Sequence, residues 1–107
     1  MNLLLDECVT NYLKPDLIGH WISTLDEAGF KGLKNGKLLA AASPDFDALI
    51  TVDQNLRFQQ NIKNFDIAIL VLRAGRSTYP YLKPLVPQAL AELESISPGD
   101  IVVVSSI

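Results

Sequence analysis

Several features that often identify a protein's function are scarce or missing in this chain of 107 residues. It has a single cysteine, Cys8, so it cannot form an internal disulfide, and we expect a cytoplasmic protein whose Cys8 is passive and partly buried. No apolar run approaches the roughly 20 residues that a membrane span requires, and the first residues contain no apolar stretch of signal-peptide length. Glycine motifs that cradle phosphates, of the P-loop or Rossmann type, are also missing. These absences argue against a disulfide scaffold, a membrane protein and a standard nucleotide-binding domain.

Positive charge is in short supply as well. Nine Lys and Arg residues face 12 Asp and Glu residues, which leaves a net charge of −3 and a pI near 4.9. This balance argues against a dedicated nucleic-acid-binding module, which is usually basic, but it leaves room for an enzyme with a local cationic rim. The candidates for such a rim are Lys31, Lys34, Lys37, Arg57, Lys63, Arg73 and Arg76. The single His20 has no nucleophile spaced to use it, so we expect a structural role.

Apolar residues make up 49% of the chain and charged residues 20%, which is typical of one compact domain over residues 1–107. The order of apolar patterns alternates between strands and helices and predicts an α/β fold with an essentially parallel sheet. The predicted strands are Asn2–Leu5, His20–Thr24, Ala48–Val52, Ile67–Leu72 and Ile101–Val104. An amphipathic helix is predicted from about Leu82 to Leu93, against which Tyr79 and Tyr81 would pack.

A shorter helix is predicted over Cys8–Leu17. Its apolar side would consist of Tyr12, Leu13 and Leu17, and Pro15 would disturb its last turn.

Two of the predicted strands end in acidic residues, and this repetition is the strongest functional signal in the chain. Asn2–Leu5 runs into Asp6 and Glu7, and Ala48–Val52 runs into Asp53. If the two strands are parallel neighbours, their carboxyl ends lie at one edge of the sheet, where open α/β sheets bind ligands. Two convergent carboxylates suit a hard cation such as Mg²⁺, with waters or phosphate oxygens completing its octahedron. The sequence therefore predicts a site at Asp6 and Asp53.

The other polar residues near this edge have both structural and functional interpretations. Glu7 either stabilises the following helix from its first turn, near the positive end of the helix dipole, or belongs to the site. Asn35 is more often a helix cap than a ligand, and Asn55 either forms an Asx turn or contributes a carboxamide. A further uncharged cluster can contact a phosphate backbone or bases, or simply cover the surface: Gln59, Gln60 and Asn61.

Taken together, these motifs resemble the small PIN-like proteins, which are predicted ribonuclease toxins of bacterial toxin–antitoxin pairs. The residues that carry the resemblance are Leu3–Glu7, Gly19-His20, Gly32–Gly36 with Leu38-Leu39, Asp53–Leu56, Gln59–Asn61 and Ile67–Leu72. The resemblance covers nearly the whole chain. It implies a three-layer PIN-like fold with a central, mainly parallel sheet of about five strands flanked by helices. It also implies hydrolysis of RNA phosphodiester bonds with Mg²⁺ or Mn²⁺ and a small cognate antitoxin that blocks the site. Toxin-like relatives often form homodimers, so the resemblance is compatible with a homodimer.

Position by position, Asp6 and Asp53 match the metal-binding acids of the family, and Glu7 matches the acid that commonly follows the first. The chain departs from the family at Asn35, Lys37 and Asn55, where acids are common in relatives. Two or three of the usual four carboxylates are therefore evident, which favours one metal ion over a pair about 3.5–4 Å apart.

In the resulting scheme Asp6 and Asp53 hold the ion, and Glu7 or Asp53 steers the attacking water. The expected contacts to the substrate come from Asn35, Lys37, Asn55, Gln59, Gln60 and Asn61. Lys37 either neutralises the scissile phosphate or silences the site.

Two other functions stay open at this stage. The first is a catalytically impaired PIN-like binding module that acts through its antitoxin partner. The second is a phosphoacceptor receiver-like domain, which also places acids after its first strand and an aspartate after its third. A receiver needs a lysine after its last strand, and only Ser105, Ser106 and Ile107 stand there in this sequence.

Overall fold

Short aliphatic runs form the strands of a parallel sheet in the computed structural model, which describes residues 1–56 and 64–107. The strands are β1 (Asn2–Leu5), β2 (Trp21–Thr24), β3 (Ala48–Thr51), β4 (Ala68–Arg73) and β5 (Ile101–Ser105). They pair in the order β2-β1-β3-β4-β5, and every neighbouring pair is parallel. The predicted α/β class with a five-stranded sheet is confirmed, and each strand lies within one or two residues of its predicted bounds.

Helices cover both faces of this sheet. They are a 3₁₀ helix (Asn11–Asp16), α1 (Leu25–Ala28), α2 (Asn35–Ala42), α3 (Tyr79–Leu82), a second 3₁₀ helix (Lys83–Leu85) and α4 (Val86–Leu93). The amphipathic helix predicted near the end of the chain is therefore divided into three pieces. Pro84 and Pro87 lie in the first two positions of the second and third piece, because a residue without an N–H fits only where no helical donor is needed. Within the described ranges, no helix has the length and apolar character needed to cross a membrane.

Residues that alternate along the strands pack into two separate hydrophobic clusters, one on each face. Leu3 and Leu5 belong to the cluster under α3 and α4, whereas Leu4 belongs to the cluster under α1 and α2. All three leucines are fully buried. Strands buried on both faces need continuous apolar runs, which is why β1, β3 and β4 are the clearest strands in the sequence. The result is a three-layer arrangement of helices, sheet and helices.

The segment after β1 differs from its prediction. A 3₁₀ helix that begins after Thr10 replaces the α-helix expected over Cys8–Leu17, and Pro15 lies inside it. With three residues per turn, the 3₁₀ helix buries Leu13 but turns Tyr12 outward, so that Tyr12 is 72% exposed. The inward position predicted for Tyr12 is therefore wrong.

An ion pair connects this 3₁₀ helix to the cap at the start of α1. Thr24 and Glu27 form a capping box, and Lys14 Nζ donates to Glu27 Oε1 at 2.7 Å. These donors, Lys14 above all, stabilise the charged carboxylate and lower the pKa of Glu27 to about 2. Because the pair is exposed to solvent, it contributes little to the stability of the fold.

Candidate functional site

The strand order reverses between β1 and β3. From β1 the chain continues to β2 on one side of the sheet, and from β3 it continues to β4 on the other side. In open parallel sheets such a reversal leaves a crevice outside the carboxyl ends of the two strands, and ligands bind there. Leu5 pairs with Ile50, so the next residues, Asp6 and Thr51, come side by side at this crevice. The Asp6 N–H donates to the Ile50 carbonyl at 2.9 Å and extends the pairing by one residue.

Thr51 connects the two acidic segments through its side chain. Its hydroxyl donates to Asp6 Oδ2 at 2.8 Å and accepts from the Asp53 N–H at 3.0 Å. Thr51 is fully buried, so the orientation of the Asp6 carboxylate is set by a group that is itself held in place by β3. Sequence reasoning missed this role. The available signal was a lone hydroxyl in an otherwise aliphatic strand, two residues before Asp53.

Asp6 and Asp53 line one cavity of about 550 Å³, here called the Asp6–Asp53 cavity. Its remaining wall consists of Glu7, Cys8, Leu33, Lys34, Asn35, Leu38, Leu49, Val52 and Leu56. The wall thus combines three carboxylates and one ammonium group with a largely apolar floor. A concave site with a few polar groups on an apolar background is the usual form of a small-molecule or substrate site.

Both aspartates keep the capacity to bind a further group. Asp6 Oδ1 accepts from the Glu7 N–H at 2.8 Å, and Asp53 Oδ1 accepts from the Asn55 N–H at 3.0 Å. An ionised carboxylate has about four lone-pair sites, so these bonds and the one from Thr51 leave acceptor positions on each side chain. Hard oxygen donors of this kind fit Mg²⁺ or Mn²⁺, which are bound through one or two carboxylates and several waters.

Among residues 1–56 and 64–107, no group of three or more His, Cys, Asp or Glu side chains is arranged to hold a metal ion. Asp6 and Asp53 would therefore be the only two carboxylates of the described crevice that the sequence predicts as metal ligands. This pair offers no support for a two-metal clamp, which needs further carboxylates.

Glu7 connects the crevice to the loop between α1 and α2. Its Oε1 accepts from the Gly32 N–H at 2.7 Å, across 25 residues of sequence. Gly32 has a φ of +85°, a left-handed conformation that glycine adopts without strain. The bond holds the loop that brings Lys34 and Asn35 to the cavity. In the structure, Glu7 therefore has an anchoring role.

The predicted substrate residues lie in different places. Asn35 lines the cavity as the first residue of α2, whereas Lys34 occupies the capping position predicted for Asn35. Lys37 is exposed on α2 and is not part of the cavity wall, and Lys34 supplies the cation there instead. Asn55 is exposed and contributes its N–H to an Asx turn formed by Asp53. The remaining predictions fall outside the described residues: Gln59, Gln60 and Asn61, together with Arg57 and Lys63 of the cationic rim.

Cys8 lies in the cavity wall, and the residue as a whole is exposed although its sulfur is partly buried against Thr51. Its Sγ is 3.6 Å from Thr51 Oγ1. Loss of solvent around the sulfur raises the pKa of the thiol, and the nearby Asp6 carboxylate raises it further. A thiol with a raised pKa stays protonated at neutral pH and is a poor nucleophile.

His20 takes no part in this site. It precedes β2, whose first residue, Trp21, pairs with Asn2 at the amino end of β1, opposite Asp6. Loss of solvent around its ring lowers the pKa of His20, which keeps the imidazole neutral at pH 7.

Comparisons with known proteins add no relative: no family model matches the chain, and no curated protein or solved structure is found to be similar. The assignment of a function therefore depends on the chemistry of the site.

Proposed function

We propose that this chain is a PIN-like, metal-dependent endoribonuclease of the cytoplasm and the toxin component of a toxin–antitoxin pair. One observation carries the proposal: Asp6 and Asp53 line a single cavity at the reversal of strand order and are connected through the buried hydroxyl of Thr51. The resemblance of the sequence motifs to PIN-like proteins supplies the substrate class, RNA, and the partner, a small antitoxin that covers the cavity.

In this proposal Asp6 and Asp53 would hold one Mg²⁺ or Mn²⁺. When bound, such an ion neutralises charge on a phosphate oxygen and lowers the pKa of a bound water. Thr51 keeps the Asp6 carboxylate turned toward the cavity. Glu7 has a second oxygen, Oε2, beyond the one bonded to Gly32, and this oxygen accepts the proton of the attacking water. Lys34 neutralises the scissile phosphate, and Asn35 orients it.

The test is cleavage of single-stranded RNA by the purified protein with Mg²⁺ or Mn²⁺. We expect a chelator to abolish cleavage, and we expect Asp6→Asn and Asp53→Asn each to lower its rate by about 10²- to 10⁴-fold, as for the loss of a positioned catalytic group. Asp45→Asn is the matched control, because Asp45 is exposed and precedes β3 at the opposite end of the sheet. Cleavage that persists in chelator, or that is equal in all three variants, would refute the proposal.

A second candidate is a catalytically impaired PIN-like module that acts by binding its antitoxin. The observation that favours it is the small donor set: the described residues offer no group of three possible metal ligands, and an ammonium group, Lys34, lies in the cavity wall. This candidate predicts a folded protein that binds its antitoxin but cleaves no RNA with either metal. Chelator-sensitive cleavage that is lost in Asp53→Asn would eliminate it.

One observation is compatible with the receiver-like alternative: phosphoacceptor domains also have the strand order β2-β1-β3-β4-β5. A shared strand order carries little weight for function, because many activities occur on one fold. If Asp53 were a phosphoacceptor, incubation with a small phosphodonor would add a phosphoryl group detectable by mass spectrometry. We expect no such addition.

A further inference from the structure

A second cavity, of about 410 Å³, lies beside the first, and we call it the Tyr12–Tyr79 cavity. Its wall consists of Glu7, Cys8, Val9, Thr10, Tyr12, Ser77, Thr78, Tyr79 and Pro80. Glu7 and Cys8 belong to both cavities. A ligand bound at Asp6 and Asp53 can therefore extend across these two residues into the second cavity.

The wall of the second cavity includes an aromatic side chain that the fold leaves uncovered. Tyr12 is 72% exposed, and its ring meets the ring of Tyr79 edge-on, with 5.7 Å between centroids and 73° between planes. Tyr79 is itself held in place, because its hydroxyl donates to Asp16 Oδ2. This hydrogen bond favours the protonated phenol and raises the pKa of Tyr79. Tyr12 is thus supported from one side and accessible from the other.

Two cations lie over tyrosine rings in this part of the protein, one over Tyr79 and one over Tyr81, although the chain as a whole is acidic. Lys83 Nζ is 5.6 Å from the centroid of the Tyr79 ring. Arg76 Cζ is 5.9 Å from the centroid of the Tyr81 ring, and Arg76 directly precedes Ser77 of the cavity wall. Proteins that bind single-stranded nucleic acid combine these same elements, aromatic rings on which bases stack and cations that follow the backbone.

We propose that the Tyr12–Tyr79 cavity is a base-binding subsite for single-stranded RNA. The base of a nucleotide adjacent to the scissile phosphate stacks on Tyr12, and Arg76 and Lys83 neutralise the backbone on that side. The inference rests on the proposed nuclease function, which supplies the phosphate at the first cavity. A paired base is already stacked inside a duplex, so the subsite selects unpaired RNA.

The subsite is tested by binding, in a variant whose expected cleavage is too slow to consume the RNA during a titration. In the Asp53→Asn protein, a short single-stranded RNA that carries a fluorescent base analogue is titrated, and anisotropy and quenching of the analogue are recorded. Loss of one stacking interaction predicts that the further change Tyr12→Ala weakens binding by about 5- to 150-fold and removes the quenching. Tyr12→Phe retains both, because the ring remains. Tyr12 is mostly exposed, so these variants should fold, which thermal unfolding verifies.

Trp21→Ala is the matched control. Trp21 is 77% exposed but lies at the amino end of β2, away from the carboxyl ends of the strands. We expect it to bind RNA as the parent protein does. A Tyr12→Ala protein that binds single strands as tightly as the parent, or an equal loss in Trp21→Ala, would overturn the subsite. Failure of the parent to bind single-stranded RNA would overturn it as well.

Cleavage by otherwise unmodified protein separates this inference from the proposed function. If the subsite contributes binding alone, Tyr12→Ala raises KM and leaves kcat nearly unchanged. Metal-dependent cleavage with an unchanged KM in Tyr12→Ala would retain the nuclease and reject the subsite. Tyr12-dependent binding without any cleavage would retain the subsite and reject the nuclease.

Discussion

Thr51 is the residue whose hydrogen bonds connect the two aspartates of the site. Its hydroxyl is buried and has a carboxylate acceptor on one side and a backbone donor on the other. Removing the hydroxyl would leave the Asp6 carboxylate and the Asp53 N–H, both partly buried, without this bond. A partly buried polar group that loses its partner costs more than an average hydrogen bond contributes. Thr51 therefore links the stability of the sheet to the geometry of the crevice.

Replacing Thr51 with Val keeps the shape of the side chain and removes the hydroxyl. We expect Thr51→Val to lower the free energy of unfolding by about 1–3 kcal/mol, as for the loss of a buried partner, and to lower cleavage about 10- to 100-fold, as for groups that orient metal ligands. Thr51→Ser keeps the hydroxyl and loses one methyl group, at a cost of about 0.8 kcal/mol. Urea unfolding and RNA cleavage measure the two effects. Cleavage reduced equally in both variants would contradict a role for the hydroxyl.

The loop between α1 and α2 is the element that completes the cavity, because it carries Lys34. At its start, Gly29 ends α1 with a φ of +81°, and its N–H donates to the Asp26 and Leu25 carbonyls. At its middle, Gly32 is bonded to Glu7. The loop is therefore held at a helix end and at the end of β1, and its course depends on left-handed backbone at both glycines.

Substitution of Gly29 tests this dependence. A Cβ at Gly29 meets no atom within 4 Å, so Gly29→Ala suffers only the cost of a left-handed alanine, about 1–2 kcal/mol. Gly75 is the control, because a Cβ there also meets nothing within 4 Å and its φ is not left-handed. We expect Gly75→Ala to unfold at the same or a slightly higher urea concentration than the parent protein. If both variants lose stability equally, backbone conformation at Gly29 is not the cause.

For the molecule as a whole, the sheet is the structure that both hydrophobic clusters share. Its central strands bury side chains on both faces, so loss of packing on one face also loosens the strands that hold Asp6 and Asp53. A domain of this size has about 5–15 kcal/mol of stability. Truncating one large core side chain leaves a void and would remove a sizeable part of this stability.

Leu4→Ala tests the packing between the sheet and the helices α1 and α2. Leu4 is fully buried in that cluster, and we expect a loss of about 2–5 kcal/mol in the free energy of unfolding. Ile18→Ala is the control, since Ile18 is 72% exposed and should change stability by no more than about 0.5 kcal/mol. Thermal and urea unfolding provide the comparison. Similar losses of unfolding free energy in Leu4→Ala and Ile18→Ala would contradict the placement of Leu4 in the core.

Local patterns predicted some parts of this protein well and others poorly. The strands were recognisable because short aliphatic runs between polar turns have few other ways to bury both faces. The spacing of an α-helix predicts an inward Tyr12, whereas the backbone there forms a 3₁₀ helix and turns the ring outward. The sequence places Lys37 near the phosphate, either to neutralise it or to silence the site, whereas the cavity wall contains Lys34 and not Lys37. Which residue of the loop reaches the cavity depends on the bond between Glu7 and Gly32, which joins distant parts of the chain.

The sequence by itself determined where the strands lie and that Asp6 and Asp53 follow two of them, because the aliphatic runs and the acids at their ends are local properties. The tertiary structure decided that β1 and β3 are neighbours in this register, and hence that Thr51 bridges the two acidic segments. It also decided that Tyr12 is left uncovered beside the site. Strand order and register arise from packing between residues far apart in the chain, and no local pattern encodes them.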